Sequence, residues 1–310
     1  MNAFIKHRTL LRRCLALLLL IPAIACASPE HPAGKRLKVG VTLHPYYSFV
    51  ANIVGDRADV VALIPAQANP HNYQPQPDDI TRAMNIDVLV VNGIGHDEWA
   101  FEIIKAAGRR ETLPIIQANA SVALIPIGGD QGGVKVVNPH TFVSTTAAIQ
   151  QVFEIARRLG ERDPDNAAAY RQNALAYAGR IRALRARFMS RFAALDLSPF
   201  RCATLHGGYD YMMQEFGLFV SAVIEPRHGV APTARQLATT IDTIRKANVR
   251  VLFAEKNFSM DLAKPIEAAT GVKVFTLSHI TGSTYSADEF EVAIGENLET
   301  LAEAVEFTQR

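Results

Sequence analysis

The sequence predicts an α/β protein of two lobes, each a parallel sheet covered by helices, joined by one long rigid helix. Three observations predict it. Short apolar runs alternate with amphipathic stretches from residue 37 onward. One unbroken helical stripe interrupts the alternation near the middle of the chain. The same alternation then resumes beyond it.

In chain order, 37–43 (LKVGVTL) reads as a strand and about 47–54 as a helix that stops at Gly55. A strand at 60–64, a short helix at 78–84 behind Pro77, a strand at 87–93 and a helix at 98–108 follow. The run VKVV (134–137) is strand-like, and Ser144 opens a helix that ends near Gly160. Asp163-Pro164 then marks a helix start, with Asp as cap and Pro in the first turn. Tyr170, Ala174, Tyr177, Ile181, Leu184, Phe188, Phe192 and Leu195 recur at steps of three and four, and arginines fill the other faces. A helix over 163–197 is longer than one lobe of this size needs, which argues for a spine between lobes; a long surface helix on a single domain is the alternative. Beyond it, strands at 201–205, 219–224, 250–254 and 272–277 alternate with helices at 233–247 and 261–271. Ser286 and Glu289 have the spacing of a capping box that opens the last helix, which runs to about Val305. The predicted division is a first lobe over 37–162, the linking helix and a second lobe over 198–310.

The chain begins with an export pattern. Lys6, Arg8, Arg12 and Arg13 make a basic head, Leu15 to Ala25 an apolar middle, and Ala25-Cys26-Ala27 a small-x-small cleavage site. Residues 1–27 are thus expected to be a signal peptide and the chain to reach the periplasm; lipidation of Cys26 is the alternative. Residues 28–36 read as a flexible lead-in. Removing residues 1–27 leaves 28 bases against 30 acids, a net charge of −2, so no nucleic-acid surface is expected. Cys202 is then the one free thiol, so stability must come from the core and not from a disulfide.

His71 in NPHNYQPQPDD, His140 in VVNPHTF and His206 in CATLHGG each follow a strand-like run, and so does His279 after Leu277. The first three stand 69 and 66 residues apart, so only the fold can bring them together. Ligands of open α/β sheets bind beyond the carboxyl ends of the strands, and converging imidazoles there chelate a divalent transition metal. A proline directly precedes His71 and His140, and Gly207-Gly208 follows His206, which restricts presentation in the first two and permits close approach in the third. His44, His96 and His228 are expected to be solvated or capping.

Several separated stretches resemble the solute-binding proteins of zinc and manganese ABC transporters, the ZnuA/TroA-like family, over about residues 37–305. NPHNYQPQPDD is similar to that family's D-P-H-x-Y-x-P-x-P-x-D, VVNGIGHDEW to its N-G-x-G-x-E-x-W, and NPHTFVS to its D-P-H-x-W-x-S. TLHGGYDYMMQEFGL resembles its His-containing stretch before an aromatic helix, and VLFAEKNFS its E-x-x-F/Y-S element. The resemblance implies two lobes joined by one helix, a metal held between them, and delivery by a monomeric protein to a membrane permease with its ATPase. Its three histidines fall on His71, His140 and His206, whereas its Asp ligand falls on Ser278. Water, His279 or Glu255 are the candidates to complete the site. Loss of a hard carboxylate ligand favours Zn²⁺ over Mn²⁺.

The residues leave one enzymatic alternative, a zinc hydrolase with an open three-His site. H-E-x-x-H is absent and Glu255 is the one suggestive acid. No phosphate loop is present either, so energy from ATP would have to come from a partner. The chain is therefore expected to bind its metal and not to use it.

Overall fold

The computed structural model describes residues 36–131, 134–225, 232–256, 261–282 and 284–310. The export pattern, nearly all of the lead-in and His228 lie outside these residues.

The first lobe is built on a parallel sheet of β1 (Leu37–Val41), β2 (Ala58–Ala62), β3 (Val88–Val91) and β4 (Ile115–Gln117), in the order β2-β1-β3-β4. Central β3 is VLVV, buried at every position, as a strand covered on both faces requires. Helices α1 (His44–Val54), α2 (Pro77–Met84) and α3 (Trp99–Ala106) make the crossovers. Gly55, at φ 56°, stops α1 where the sequence places the stop. An antiparallel hairpin of β5 (Pro126–Gln131) and β6 (Val134–Val137) follows, and only its second strand was anticipated. Then comes α4 (Thr145–Arg162), capped by the Ser144 hydroxyl, which accepts from Ala147 N at 3.2 Å.

The long helix α5 spans Ala167–Ala193, about 40 Å at ~1.5 Å per residue, behind a 3₁₀ turn at Pro164–Asn166. Asp163 does not cap it. Its carboxylate accepts instead from Tyr170 Oη at 2.6 Å and Asn166 Nδ2 at 2.8 Å, which spends the oxygen that a cap would use. The helix ends four residues before the expected position, where Ala194 N closes a tightened last turn onto Arg191 O. Its stripe of Tyr170, Ala174, Tyr177, Ile181, Phe188 and Phe192 is buried.

The second lobe repeats the plan with β7 (Cys202–His206), β8 (Val220–Glu225), β9 (Val251–Glu255) and β10 (Lys273–Leu277), parallel in the order β10-β9-β7-β8. Its helices are α6 (Asp210–Glu215), α7 (Ala234–Lys246), α8 (Ala263–Thr270) and α9 (Glu289–Thr308). The capping box expected at Ser286 and Glu289 is not formed. Ser286 Oγ donates to Asp288 Oδ1 at 2.6 Å, and the helix opens three residues later than Ser286 with Asp288 as its cap residue.

The core explains why α5 acts as a spine. One apolar cluster runs from β1, β3 and α1 through the buried stripe of α5 to Cys202, Val251 and Phe253 of the second sheet and to α9. Alternate residues of the same strands, Ala203, Leu252 and Ala254, point the other way into a smaller cluster with α7 and α8. Charged pairs reinforce the attachment. Arg180 Nε meets Glu291 at 3.0 Å and Arg191 Nε meets Glu306 at 2.8 Å, both on α9. The Glu215 carboxylate of the second lobe takes Arg185 Nε at 2.7 Å and also Thr145 N and Thr146 N at the start of α4.

Candidate metal centre

Five histidine side chains from five different chain segments meet between the lobes: His71, His96, His140, His206 and His279. His71, His96 and His279 follow strands of the two parallel sheets, as the doubly wound plan predicts, and His140 follows β6 of the hairpin. His206 ends β7, the strand flanked by β8 on one side and β9 on the other, where the crossovers change direction. His279 lies two residues beyond β10.

The ring centroids are close. His71 lies 4.0 Å from His96, 5.0 Å from His206 and 4.9 Å from His279, and His140 lies 4.7 Å from His206. The Nε2 atoms face each other in two pairs, His140 with His206 at 3.0 Å and His71 with His279 at 3.4 Å. His71, His96, His140 and His279 can each offer one nitrogen within 4.8 Å of the others, and Glu255 can join His206 and His279 on the same terms. A cavity of about 630 Å³ is lined by His71, His96, His140 and His206 together with Tyr73, Glu98, Trp99, Ile127 and Asp210.

The presentation of each ring follows from local chemistry. His71 sits in a 3₁₀ turn at Pro70–Asn72, where its N–H donates to Asn69 Oδ1 at 3.0 Å and Trp99 Nε1 donates to Pro70 O at 3.1 Å. His140 Nδ1 lies 2.7 Å from Asn138 Oδ1; an amide oxygen only accepts, so Nδ1 carries the proton and Nε2 presents its lone pair to the centre. His279 Nδ1 lies 2.7 Å from Thr281 Oγ1, which again aims Nε2 inward. Burial, reinforced by the facing imidazoles of His140, His96, His71 and His206, holds His279 well below the usual histidine pKa and hence neutral. Neutral imidazole is the form that binds metal.

His96 is a correction. The sequence expectation is a solvated or capping residue, yet His96 is buried, with its ring tilted by 33° against that of His71. Its backbone is held at φ 82° because Asn92 Nδ2 grips Gly95 O at 2.7 Å and Asp97 accepts Asn92 N at 2.6 Å and Thr42 Oγ1 at 2.7 Å. Burial pushes the Asp97 carboxyl up to about 6 despite those donors. His96 falls on an unrestricted position of the N-G-x-G-x-E-x-W stretch, so the resemblance assigns it no role. The signal that would have found it is the one used for the others, a histidine just beyond a strand end. His44 is not solvated either. It stacks on Tyr285 at 4.1 Å, and its Nε2 lies 2.8 Å from Ala66 O.

At the departure from the family pattern, Ser278 does not face the rings as a ligand. Its N–H donates to Asn297 Oδ1 at 2.6 Å, its carbonyl accepts from Asn297 Nδ2 at 2.8 Å, and its hydroxyl accepts from Ile280 N at 3.0 Å. The next residue, His279, takes the place beside the other rings.

Among solved structures, the chain is similar to FpvC of Pseudomonas aeruginosa in complex with Mn²⁺. The two are 48% identical with a TM-score of 0.82, over 88% of this chain and 100% of that one. A Ni²⁺ complex of FpvC matches equally well, over 98% of its chain. The iron-binding protein YfeA of Yersinia pestis is 28% identical over 90% of this chain and 89% of its own length. The zinc-binding lipoprotein AdcA of Streptococcus pneumoniae is 26% identical over 88% of this chain, which spans 55% of that relative's length. Residues 39–304 match the family described as the periplasmic component A of the zinc-uptake complex, ZnuA. The chain belongs to that family, whose members are metal-binding solute-binding proteins of ABC transporters and not enzymes.

Proposed function

We propose that the protein captures one divalent transition-metal ion on His71, His96, His140, His206 and His279, with Glu255 at the edge of the set, and delivers it to a membrane permease. A partner ATPase supplies the energy, and the carrier works as a monomer in the periplasm after the export pattern at residues 1–27 has acted. The alternative is a carrier tethered through Cys26.

The observation that carries this reading is the convergence of Nε2 atoms at 3.0 and 3.4 Å from four separate segments. Two neutral imidazoles at this distance can share one Nε2–H, and a divalent cation in place of that proton turns the arrangement into a chelate. With metal–nitrogen bonds of ~2.1 Å, these separations subtend angles of about 90° and 110° at the ion. In this reading His279 takes the role of the family's Asp ligand, whose position in the sequence is held by Ser278.

The nitrogen-rich set supports the zinc expectation over Mn²⁺, because imidazole suits Zn²⁺ and Ni²⁺ while carboxylate and water suit Mn²⁺. His96 adds one imidazole beyond the four that a tetrahedral zinc site uses, which also suits cations of higher coordination number, such as Ni²⁺. Titration of metal-stripped protein with Zn²⁺, Ni²⁺ and Mn²⁺ tests the order. His140→Ala should weaken zinc binding by about 100-fold or more with the fold intact, since it removes a ligand outright, where a mere supporting group costs 10–100-fold. An unchanged affinity would take His140 out of the site. His96→Ala should cost more Ni²⁺ affinity than Zn²⁺ affinity; equal losses would make His96 a packing residue.

A further inference from the structure

Asn138 stands where the resembling family segment carries Asp, and every hydrogen-bonding group it owns is used. Its N–H donates to Ile125 O at 2.8 Å and its carbonyl accepts from Tyr211 Oη at 2.9 Å. Its Nδ2 donates to Gly207 O at 2.8 Å and to Asp210 Oδ2 at 2.9 Å. Its Oδ1 accepts from His140 N at 3.1 Å and lies 2.7 Å from His140 Nδ1. The orientation of the amide follows from backbone groups that have only one role. Gly207 O can only accept, so Nδ2 must point to it; His140 N can only donate, so Oδ1 must point there. The side chain is buried, so no solvent can stand in for a lost partner.

These bonds cross between the lobes. Gly207, Asp210 and Tyr211 belong to the turn and helix that follow β7 of the second lobe, directly after His206. Asn138 and His140 belong to the first lobe, directly after β6. A carboxylate at 138 could accept from His140 equally well, but it would set one acceptor against Gly207 O and one negative charge against Asp210. The amide at 138 and the acid at 210 are therefore a matched pair.

We propose that Asn138 is a positioning residue that ties presentation of the His140 lone pair to apposition of the lobes, and that Asp210 is its partner across the interface. When the turn at 207–211 is docked, the amide is locked, His140 keeps its proton on Nδ1, and Nε2 faces His206 and the ion. When the turn is not docked, Asn138 Nδ2 loses both acceptors, and the amide that dictates the tautomer is held only through Oδ1, by His140 N. This inference rests on His140 being a ligand, as proposed above.

A charge swap tests it, read by Zn²⁺ competition with a chromogenic chelator and by long-range ¹⁵N spectra of His140. Asn138→Asp should lose affinity by about 10–100-fold, the range for a group that orients a metal-binding histidine. Asp210→Asn alone keeps an acceptor for Asn138 and should change little. Asn138→Asp with Asp210→Asn restores the donor–acceptor match at 210 while Gly207 O stays opposed, and should recover part of the loss. Wild-type affinity in Asn138→Asp, or no recovery in the double variant, overturns the proposal. Should Asn138→Asp fail to fold, Asp210→Ala removes one of the two cross-lobe acceptors and leaves Asn138 and Gly207 O in place. It should cost about tenfold in affinity and mix the His140 tautomers; an unchanged affinity and spectrum also overturns the proposal. His140→Ala in parallel separates the two ideas. If it binds zinc normally the ligand reading fails, whereas if it loses zinc while the swap shows no recovery, only the role of Asn138 fails.

Discussion

The two halves of the metal centre are held in different ways. In the first lobe, the turns bearing His96 and His140 are set in a buried polar network. Asp97 accepts from Thr42, Asn92 N and Gly93 N; Asn92 grips Gly95 O and Pro139 O; Asn119 bonds Asn92, and Gln151 ties Asn119 to Thr141. In the second lobe, the turn bearing His279 is supported in a different way among the described residues. Asn297 clamps Ser278, and Thr281 meets the His279 ring. The segment after it leans on the first lobe. Gly282 N donates to His44 Nδ1 at 3.3 Å, Ser48 Oγ donates to Ser286 O at 2.7 Å, and Asn52 Nδ2 donates to Ala287 O at 2.6 Å. One half is built into its own core, and the other is positioned partly by attachment to its neighbour. Beside its glycines, the described turn of each half holds one side-chain-bearing residue in the left-handed region, His96 in the first and Ile280, at φ 62°, in the second. A β-branched residue there is strained, so its surroundings must hold it in place.

The largest expected effect breaks the first half. Asp97→Ala removes an acceptor from Asn92 N, Gly93 N and Thr42 Oγ1 in a region closed to water. Each stranded buried donor costs about 1–3 kcal/mol, so a loss on the order of 3 kcal/mol is expected, seen as a fall of several degrees in the Tm of metal-free protein. A Tm within a degree of wild type would mean that the network is decoration and that the two halves are held alike.

A smaller effect is expected in the second half. Asn297→Ala strands Ser278 N and O, but these border a shallow cavity between β10 and α9, lined by Lys256, Thr276 and Thr300, where water can replace the amide. Stability should change little while zinc affinity falls by about tenfold, because His279 is then less well aimed. A large fall in Tm with affinity unchanged would reverse the comparison.

This asymmetry also governs how much of the molecule could be read from the chain. The two sheets and the spine were legible because strand burial and helix amphipathicity are periodic signals: VLVV in β3 and the stripe from Tyr170 to Phe192 state their environment locally. His71, His140, His206 and His279 were legible by their place beyond strands. The short strands β4 and β5 were not, since IIQ is too brief to show a period and PIGGDQ looks like loop. Asp163 and Ser286 carried helix-start chemistry, but their side chains found other partners nearer than the backbone N–H groups. His96 was missed for another reason. Its burial depends on Asn92 and Asp97 folding the turn inward, which pairs residues across space as well as along the chain. The roles of Asn138 and Asn297 need partners distant in sequence, Asp210 for the first and Ser278 for the second.

The smallest expected effect sharpens the comparison through pH, because the two halves carry shifts of opposite sign. In the second half His279 is held below its usual pKa, so the unfolded chain binds a proton there before the folded one does. Its contribution to stability is complete above about pH 6.5 and declines as pH falls below that value. In the first half Asp97 is raised to about 6 from 3.8, so the folded chain keeps a proton that the unfolded one has released. Its contribution runs the other way: stability is lost as pH rises through the window between those two values, and regained on acidification. Between pH 6.5 and 4.5 the two slopes partly cancel. Removing each in turn from metal-free protein should expose the other. His279→Ala should make the Tm fall less on acidification than it does in wild type, and Asp97→Ala should make it fall more. If both variants shift the profile in the same direction, the opposition between the halves is not electrostatic, and the contrast rests on hydrogen bonding alone.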